Sequence, residues 1–413
     1  MIVGGGFGGL TLARALRRAP VRLTLVDRSN HHLFQPLLYQ VATAGLSPGD
    51  IAVPIRSIVR DHRRTSVVLG EVASIDVVQR RVALADGASL SYDFLVVAAG
   101  ARTHYFGHDE WAMNALGLKD VDDALAIRDR VLGAFEAAER EDDPAERRRL
   151  LTFVAIGGGP TGVEIAGAFG ELSRYVLARD FRRIHPGDTR VILLEGGPRI
   201  LGVFDDELAA RGVAQLRELG VEVRTGARVL GVDAHGVQLE GEKLAAATVV
   251  WAAGVRGSAL AESLGAPLDQ AGRVVVEPDC TIAGHREVFV IGDMARVDGP
   301  SGTALPGIAP VAIQQAQHVA RQIERTVDGL EREPFRYTDK GIMATIGRSR
   351  ALAHVGPLRL SGMLAWLTWL CIHIVFLIGF RNRFVVMFEW LWSYVTYKRG
   401  ARLITGARPH LPR

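Results

Sequence analysis

Two sets of glycines and acids in this chain have the spacing of a phosphate cradle. Gly4, Gly6 and Gly9 form a G-x-G-x-x-G pattern directly after the apolar Met1-Ile-Val3. Asp27 ends the apolar run Leu23-Thr-Leu-Val, 23 residues beyond Gly4. Gly157, Gly159 and Gly162 repeat the pattern after Thr152-Phe-Val-Ala-Ile156, and Glu195 ends Arg190-Val-Ile-Leu-Leu194. The first glycine of such a set makes a tight turn, the second lets backbone approach a diphosphate, and the third lets helix and strand pack closely. The N–H groups of the helix start then face the anion, and the acid accepts from ribose hydroxyls. That chemistry predicts two bound dinucleotides.

The elements that would position these groups are legible around them. Helical sequence follows each glycine set, through Leu12, Ala13, Ala15 and Leu16 in the first copy and from Val163 to Tyr175 in the second. Each copy closes on a buried-strand run ending in small residues, Tyr92 to Gly100 and Thr248 to Gly254. Gly4 to Gly100 spans 96 residues and Gly157 to Gly254 spans 97, so the closing strands recur in step. Only three residues precede Gly4, a first strand as short as a truncated start would leave. A third strand, Glu287-Val-Phe-Val-Ile-Gly292-Asp293, returns the chain to the first copy and puts Asp293 where a carboxylate could bond a ribityl hydroxyl. A helix from Val311 to Val327 carries Gln314, Gln315 and Gln317 near its start. Val67 to Leu84 reads as a small antiparallel excursion, and Asp120 to Arg149 as a charged helical bridge with a solvated face. Arg28 to Tyr39 reads as a loop around Pro36, with His31 and His32 as hydrogen-bonding residues rather than metal ligands. No metal site is expected.

At 413 residues the chain exceeds one hydrophobic core. Its 48% hydrophobic and 23% charged residues, with 46 glycines, fit a turn-rich α/β protein. The formal charge of +4 is unevenly placed: residues 381–413 carry seven Lys/Arg against Glu389, leaving the other 380 residues at −2. A nucleic-acid partner is therefore not expected, whereas the basic C-terminus suits an anionic lipid surface. The two cysteines, Cys280 and Cys371, lie far apart and outside any C-x-x-C, which excludes a disulfide scaffold and a four-thiolate metal site. Both read as small core residues.

The two fingerprints, the segment His31-His-Leu-Phe-Gln-Pro-Leu-Leu-Tyr39, Gly158-Gly-Pro-Thr-Gly-Val-Glu164 and Val290-Ile-Gly-Asp293 together resemble the type II NADH dehydrogenases. The resemblance extends over essentially the whole chain, including Tyr337 to Gly347 and the aromatic, basic tail. It implies two Rossmann-like dinucleotide domains, the second inserted in the first, plus a C-terminal membrane-associating helical region. The implied boundaries are 1–119 with 270–335 for FAD, 120–269 for NADH, and 336–413 for quinone access and membrane anchoring. By position, Gly4, Gly6, Gly9, Asp27, Gly100, Gly292 and Asp293 would contact tightly bound FAD. Gly157, Gly159, Gly162, Glu195 and Gly254 would shape the site for NADH as substrate. Glu164 would border the nicotinamide, and Gln314 and Lys340 would lie near the isoalloxazine and the quinone path. Where family members often carry Ala-Gln, this chain has Ala309-Pro310, leaving those contacts to Gln314 or Gln315. The implied reaction passes hydride from NADH to the flavin and electrons on to a membrane quinone, without proton pumping.

Two features separate the competing classes. The absence of a cysteine pair argues against disulfide and sulfide:quinone reductases. Leu360 to Phe380 holds no Asp, Glu, Lys or Arg, and Phe384 to Arg399 is aromatic and cation-flanked. A soluble-acceptor reductase of ferredoxin or rubredoxin type, or a flavin redox sensor, would need neither segment. A monotopic anchor on the cytoplasmic face of the cell membrane is the preferred reading, with one spanning helix at 360–380 as the alternative. A homodimer is the assembly that base rates favour.

Overall fold

The computed structural model describes residues 1–176, 180–185, 187–299, 302–396 and 401–404, and the chain divides into two compact units. Lys398, Arg399, Arg408 and Arg413 of the expected basic tail lie outside the described residues.

The first unit comprises Met1–Leu33, Ala52–Arg102 and Val255–Asp339. Its sheet runs in the order Thr281–Ile282, His285–Val290, Leu95–Val97, Ile2–Val3, Leu23–Asp27, Thr65–Leu69, parallel throughout except for the first pair. Strand alternation assigns the two cores. Ile2, Leu25, Val96 and Phe289 pack against the helices Phe7–Ala15 and Ala309–Val327, through Leu12, Ala13, Val319 and Ile323. Val3, Val26, Leu95, Val97, Val288 and Val290 face the other way, toward Ile75, Val82 and Leu84 of the antiparallel sheet Val72–Asp76, Arg81–Leu84, Ser89–Ser91. The antiparallel excursion therefore begins at Val72, because Thr65–Leu69 joins the parallel sheet.

The second unit comprises Phe34–Ile51, Thr103–Gly254 and Lys340–Arg413. Its parallel sheet runs Ala115–Leu116, Thr248–Trp251, Thr152–Ile156, Arg190–Leu194, Val221–Arg224. Val154, Ile156, Ile192, Leu194 and Trp251 pack on Val237, Leu239 and Leu244 of a second antiparallel sheet. On the opposite face Phe153 lies between Phe135 and Phe169, at ring-centroid distances of 5.7 Å each. All three rings are fully buried, worth about 1.5–3 kcal/mol apiece in transfer from water. The helix Val121–Arg140 that carries Phe135 buries ten of its twenty residues; of its charged side chains only Arg128 and Asp129 are buried, and the rest stay on the solvated face.

Two local expectations change. His31–Leu33 forms a strand paired with Ala52–Pro54 rather than a loop, and a short helix, Leu38–Ala42, follows within the second unit. The apolar run 360–380 is not one helix. Leu358–Ser361 is the last strand of an antiparallel sheet with Ile342–Gly347 and Arg350–Val355, and Gly362, at φ +70°, turns the chain into the helix Met363–Phe376. Gly379, at φ +95°, turns it again into Phe380–Thr396. Fourteen residues of helix reach about 21 Å, against a hydrocarbon core of about 30 Å. No described helix is long and apolar enough to cross a membrane. Cys280 is buried as expected, but Cys371 is exposed, because its helix turns an apolar side outward.

Candidate functional site

The two glycine turns are built alike, bond for bond. Gly4 and Gly157 stand at φ +100° and +113°, and a Cβ on either would collide with the backbone of its closing strand, at Ala98 or Ala252. Their N–H groups donate to Val26 O and Leu194 O, both at 2.8 Å. A Cβ on Gly9 would lie 1.8 Å from Gly4 O, and one on Gly162 the same distance from Gly157 O. These contacts leave no residue but glycine at the third position. The middle glycines differ: nothing lies within 4 Å of a Cβ at Gly6 or Gly159. Both are the N-caps of their helices and neither start is capped by a side chain. The uncapped N–H groups beside that open space fit an anionic diphosphate.

The acids behave as a matched pair. Asp27 accepts the amides of Gly5 at 2.5 Å and Ser29 at 2.6 Å, one on each oxygen. Glu195 accepts those of Gly158 and Gly197, each at 2.6 Å. Each carboxylate thus clamps its own glycine turn and keeps a second lone pair per oxygen for a ribose. Gly100, at φ +69°, has open space around it, whereas Gly254 is backed by Phe106.

In the first unit, Gly292 donates to Gln315 Oε1 at 2.7 Å, and Gln315 is buried with its Nε2 unpartnered. Asp293 follows in the same short turn. Gln314 instead holds the backbone of Thr338 by two bonds, 2.9 and 3.0 Å. Gln315, not Gln314, is therefore the glutamine that reaches the Gly292-Asp293 turn. His32 is buried with Nδ1 at 3.0 Å from Gly5 O, where burial lowers its pKa, and its Nε2 has no protein partner. His31 bonds Asn30. The orphaned Gln315 and His32 nitrogens and the open Gly6 cradle fit a resident polar cofactor such as FAD.

The second unit contains a cleft of about 850 Å³ open to solvent. Its floor is one face of the helix Pro160–Glu171, where Glu164, Ala168 and Glu171 recur at helical spacing. Thr345 to Arg348 form a wall. Tyr39 and Gln40 face them from the short helix, with Thr43 from its C-cap, and Trp366, Trp369, Trp390 and Tyr394 come from the two C-terminal helices. Trp366 stacks on Tyr394 at 5.6 Å and Trp369 lies 5.3 Å from Trp390. Arg348 covers the Tyr394 ring at 4.9 Å, and its amide donates to the Glu171 carboxylate. The amide of Thr345 donates to the Glu164 carboxyl, but burial outweighs that bond and pushes its pKa up to about 8. Burial thus favours the neutral carboxyl on the cleft floor, the form that carries a proton to donate. Lys340 is exposed and outside the cleft lining.

The aromatic lining was not among the sequence-based expectations. The signal available was spacing: Trp366 with Trp369 and Trp390 with Tyr394 sit three and four residues apart, each on one helix face.

The chain matches the pyridine nucleotide-disulphide oxidoreductase model over residues 1–316 and the NDH2 C-terminal domain model over 340–397. It is 45% identical to the Mycobacterium tuberculosis type II NADH:quinone oxidoreductase Ndh, over 98% of this chain and 90% of that one. Against the NdhA protein of the same organism it is 47% identical over 98% and 89%. A structure of NDH2 from Plasmodium falciparum in complex with NADH shares the fold, with a TM-score of 0.87 over 97% of this chain and 98% of that one, at 20% identity. Twin cradles, an aromatic cleft and these two matched models have one common source: the chain belongs to the type II NADH:quinone oxidoreductases.

Proposed function

We propose that the first unit holds FAD at Gly4, Gly6, Gly9, Asp27, Gly100 and Gly292-Asp293, and that the second takes NADH at Gly157, Gly159, Gly162, Glu195 and Gly254. The chain is an NADH:quinone oxidoreductase. When bound, FAD supplies the two-electron carrier between NADH and quinone. The residues of this chain bind, orient and deliver protons. Two uncapped helix starts, each beside an open glycine and a clamped carboxylate, carry this reading.

Quinone enters the aromatic cleft of the second unit, where Glu164 stands as the proton donor. Gln315 and not Gln314 serves the flavin side, and Gln314 fixes the backbone of Thr338. The exposed apolar residues of the C-terminal helices, including Leu364, Val375, Phe388 and Leu391, lie on the cytoplasmic surface of the bilayer. The active assembly is a homodimer.

Stopped-flow mixing tests the reaction. NADH bleaches the flavin, and a short-chain quinone restores its colour within a turnover. A soluble-acceptor reductase would recover with ferredoxin and not with quinone, and a redox sensor would recover slowly with either.

A further inference from the structure

One polar side chain in the cleft has its direction fixed by chemistry. Trp390 Nε1–H lies 2.7 Å from Gln40 Oε1, and an indole nitrogen only donates. The amide of Gln40 therefore turns its oxygen to Trp390 and its NH2 inward. One of those two N–H groups goes to the Tyr39 hydroxyl at 2.8 Å. The other has no partner among the described residues, and Gln40 is half-buried on the cleft wall. We propose that this second N–H of Gln40 is the hydrogen-bond donor to a carbonyl oxygen of the quinone headgroup, and that Trp390 is a positioning residue that holds it in the donating orientation. The inference rests on the reading that quinone occupies the aromatic cleft. It makes the cleft select an acceptor group at that position, a carbonyl, and it ties the headgroup's orientation to the C-terminal helix Phe380–Thr396 that carries Trp390.

The test compares turnover of the detergent-solubilised holoenzyme with a short-chain quinone and with ferricyanide, which takes electrons without presenting a carbonyl. Gln40→Leu removes the donor. Gln40→Glu keeps the size and the acceptor for Trp390 while removing the N–H groups. Trp390→Phe leaves the amide free to turn. Loss of one neutral hydrogen bond is expected to raise the quinone KM about three- to tenfold in both Gln40 variants, with a smaller rise in Trp390→Phe. The quinone-to-ferricyanide turnover ratio falls with it. Ala168→Phe, which fills the cleft, separates the two layers of the argument. A raised quinone KM in Ala168→Phe with a wild-type KM in Gln40→Glu overturns the hydrogen bond and leaves the cleft reading standing. A wild-type KM in Ala168→Phe overturns the cleft reading and the hydrogen bond with it. An equal loss with ferricyanide in both Gln40 variants makes Gln40 structural and also overturns the proposal.

Discussion

The amide of Gly158 donates to Glu195 Oε2 at 2.6 Å, so the acid expected to read a ribose also holds the phosphate turn in shape. On the proposed reading, one residue couples recognition of the sugar to the geometry of the cradle. Replacing Glu195 by Gln keeps a neutral acceptor but removes the charge that repels a 2′-phosphate. The NADH:NADPH ratio of kcat/KM should fall about ten- to a hundredfold, from loss of a charged hydrogen bond worth about 1.5–3 kcal/mol. Steady-state rates with the two nucleotides check it; an unchanged ratio removes Glu195 from nucleotide selection.

The twin turns make separable predictions. A methyl at Gly9 or at Gly162 meets a carbonyl oxygen 1.8 Å away. Gly9→Ala should yield protein depleted of flavin, read from the absorbance of the purified chain. Gly162→Ala should keep its flavin and lose bleaching by NADH. The reverse pattern would exchange the two ligands.

Glu164 carries a pH signature. Burial holds its pKa near 8, against 4.5 for a free carboxyl. Between those values the folded chain keeps a proton that the unfolded chain has lost. Stability contributed by this group therefore falls as pH rises from about 4.5 to about 8 and is level above it. Glu164→Gln should flatten that part of the Tm–pH curve. If the carboxyl also donates to quinone, turnover of the wild type should decline above about pH 8, and the variant should be slow at every pH. A Tm–pH curve identical in the Glu164→Gln variant and the wild type would contradict the burial.

The C-terminal helices make a fourth. Leu364 and Phe388 are 67% and 62% exposed. Leu364→Glu with Phe388→Glu should reduce sedimentation with phosphatidylglycerol vesicles severalfold, while the detergent-solubilised enzyme keeps its NADH:ferricyanide rate. Vesicle binding at the wild-type level would move the membrane contact elsewhere.

What the sequence made legible follows from range. The cradles are local: glycine spacing and the apolar strand before it dictate Gly4 and Gly157, and the acids recur because the next parallel strand ends beside the turn. Gln314 and Gln315 could not be ordered by spacing, since which one reaches Gly292 depends on how the helix rotates against the sheet. The aromatic cleft was illegible for the same reason. Tyr39, Glu164, Thr345, Trp369 and Trp390 come from five stretches of chain and meet only through tertiary packing. The apolar run 360–380 left a spanning helix open as an alternative because hydropathy does not register a turn glycine such as Gly362 among apolar neighbours.

Cys371 acquires a use from its place in the fold. It is the exposed thiol of the chain, on a helix whose neighbours Leu367, Ile372 and Val375 also face outward, while Cys280 is sealed in the core. A polarity-sensitive dye attached to wild-type protein would report from one known point on that apolar face. On the proposed membrane contact, the chain carries its own depth gauge for the bilayer, with no cysteine to add and none to remove.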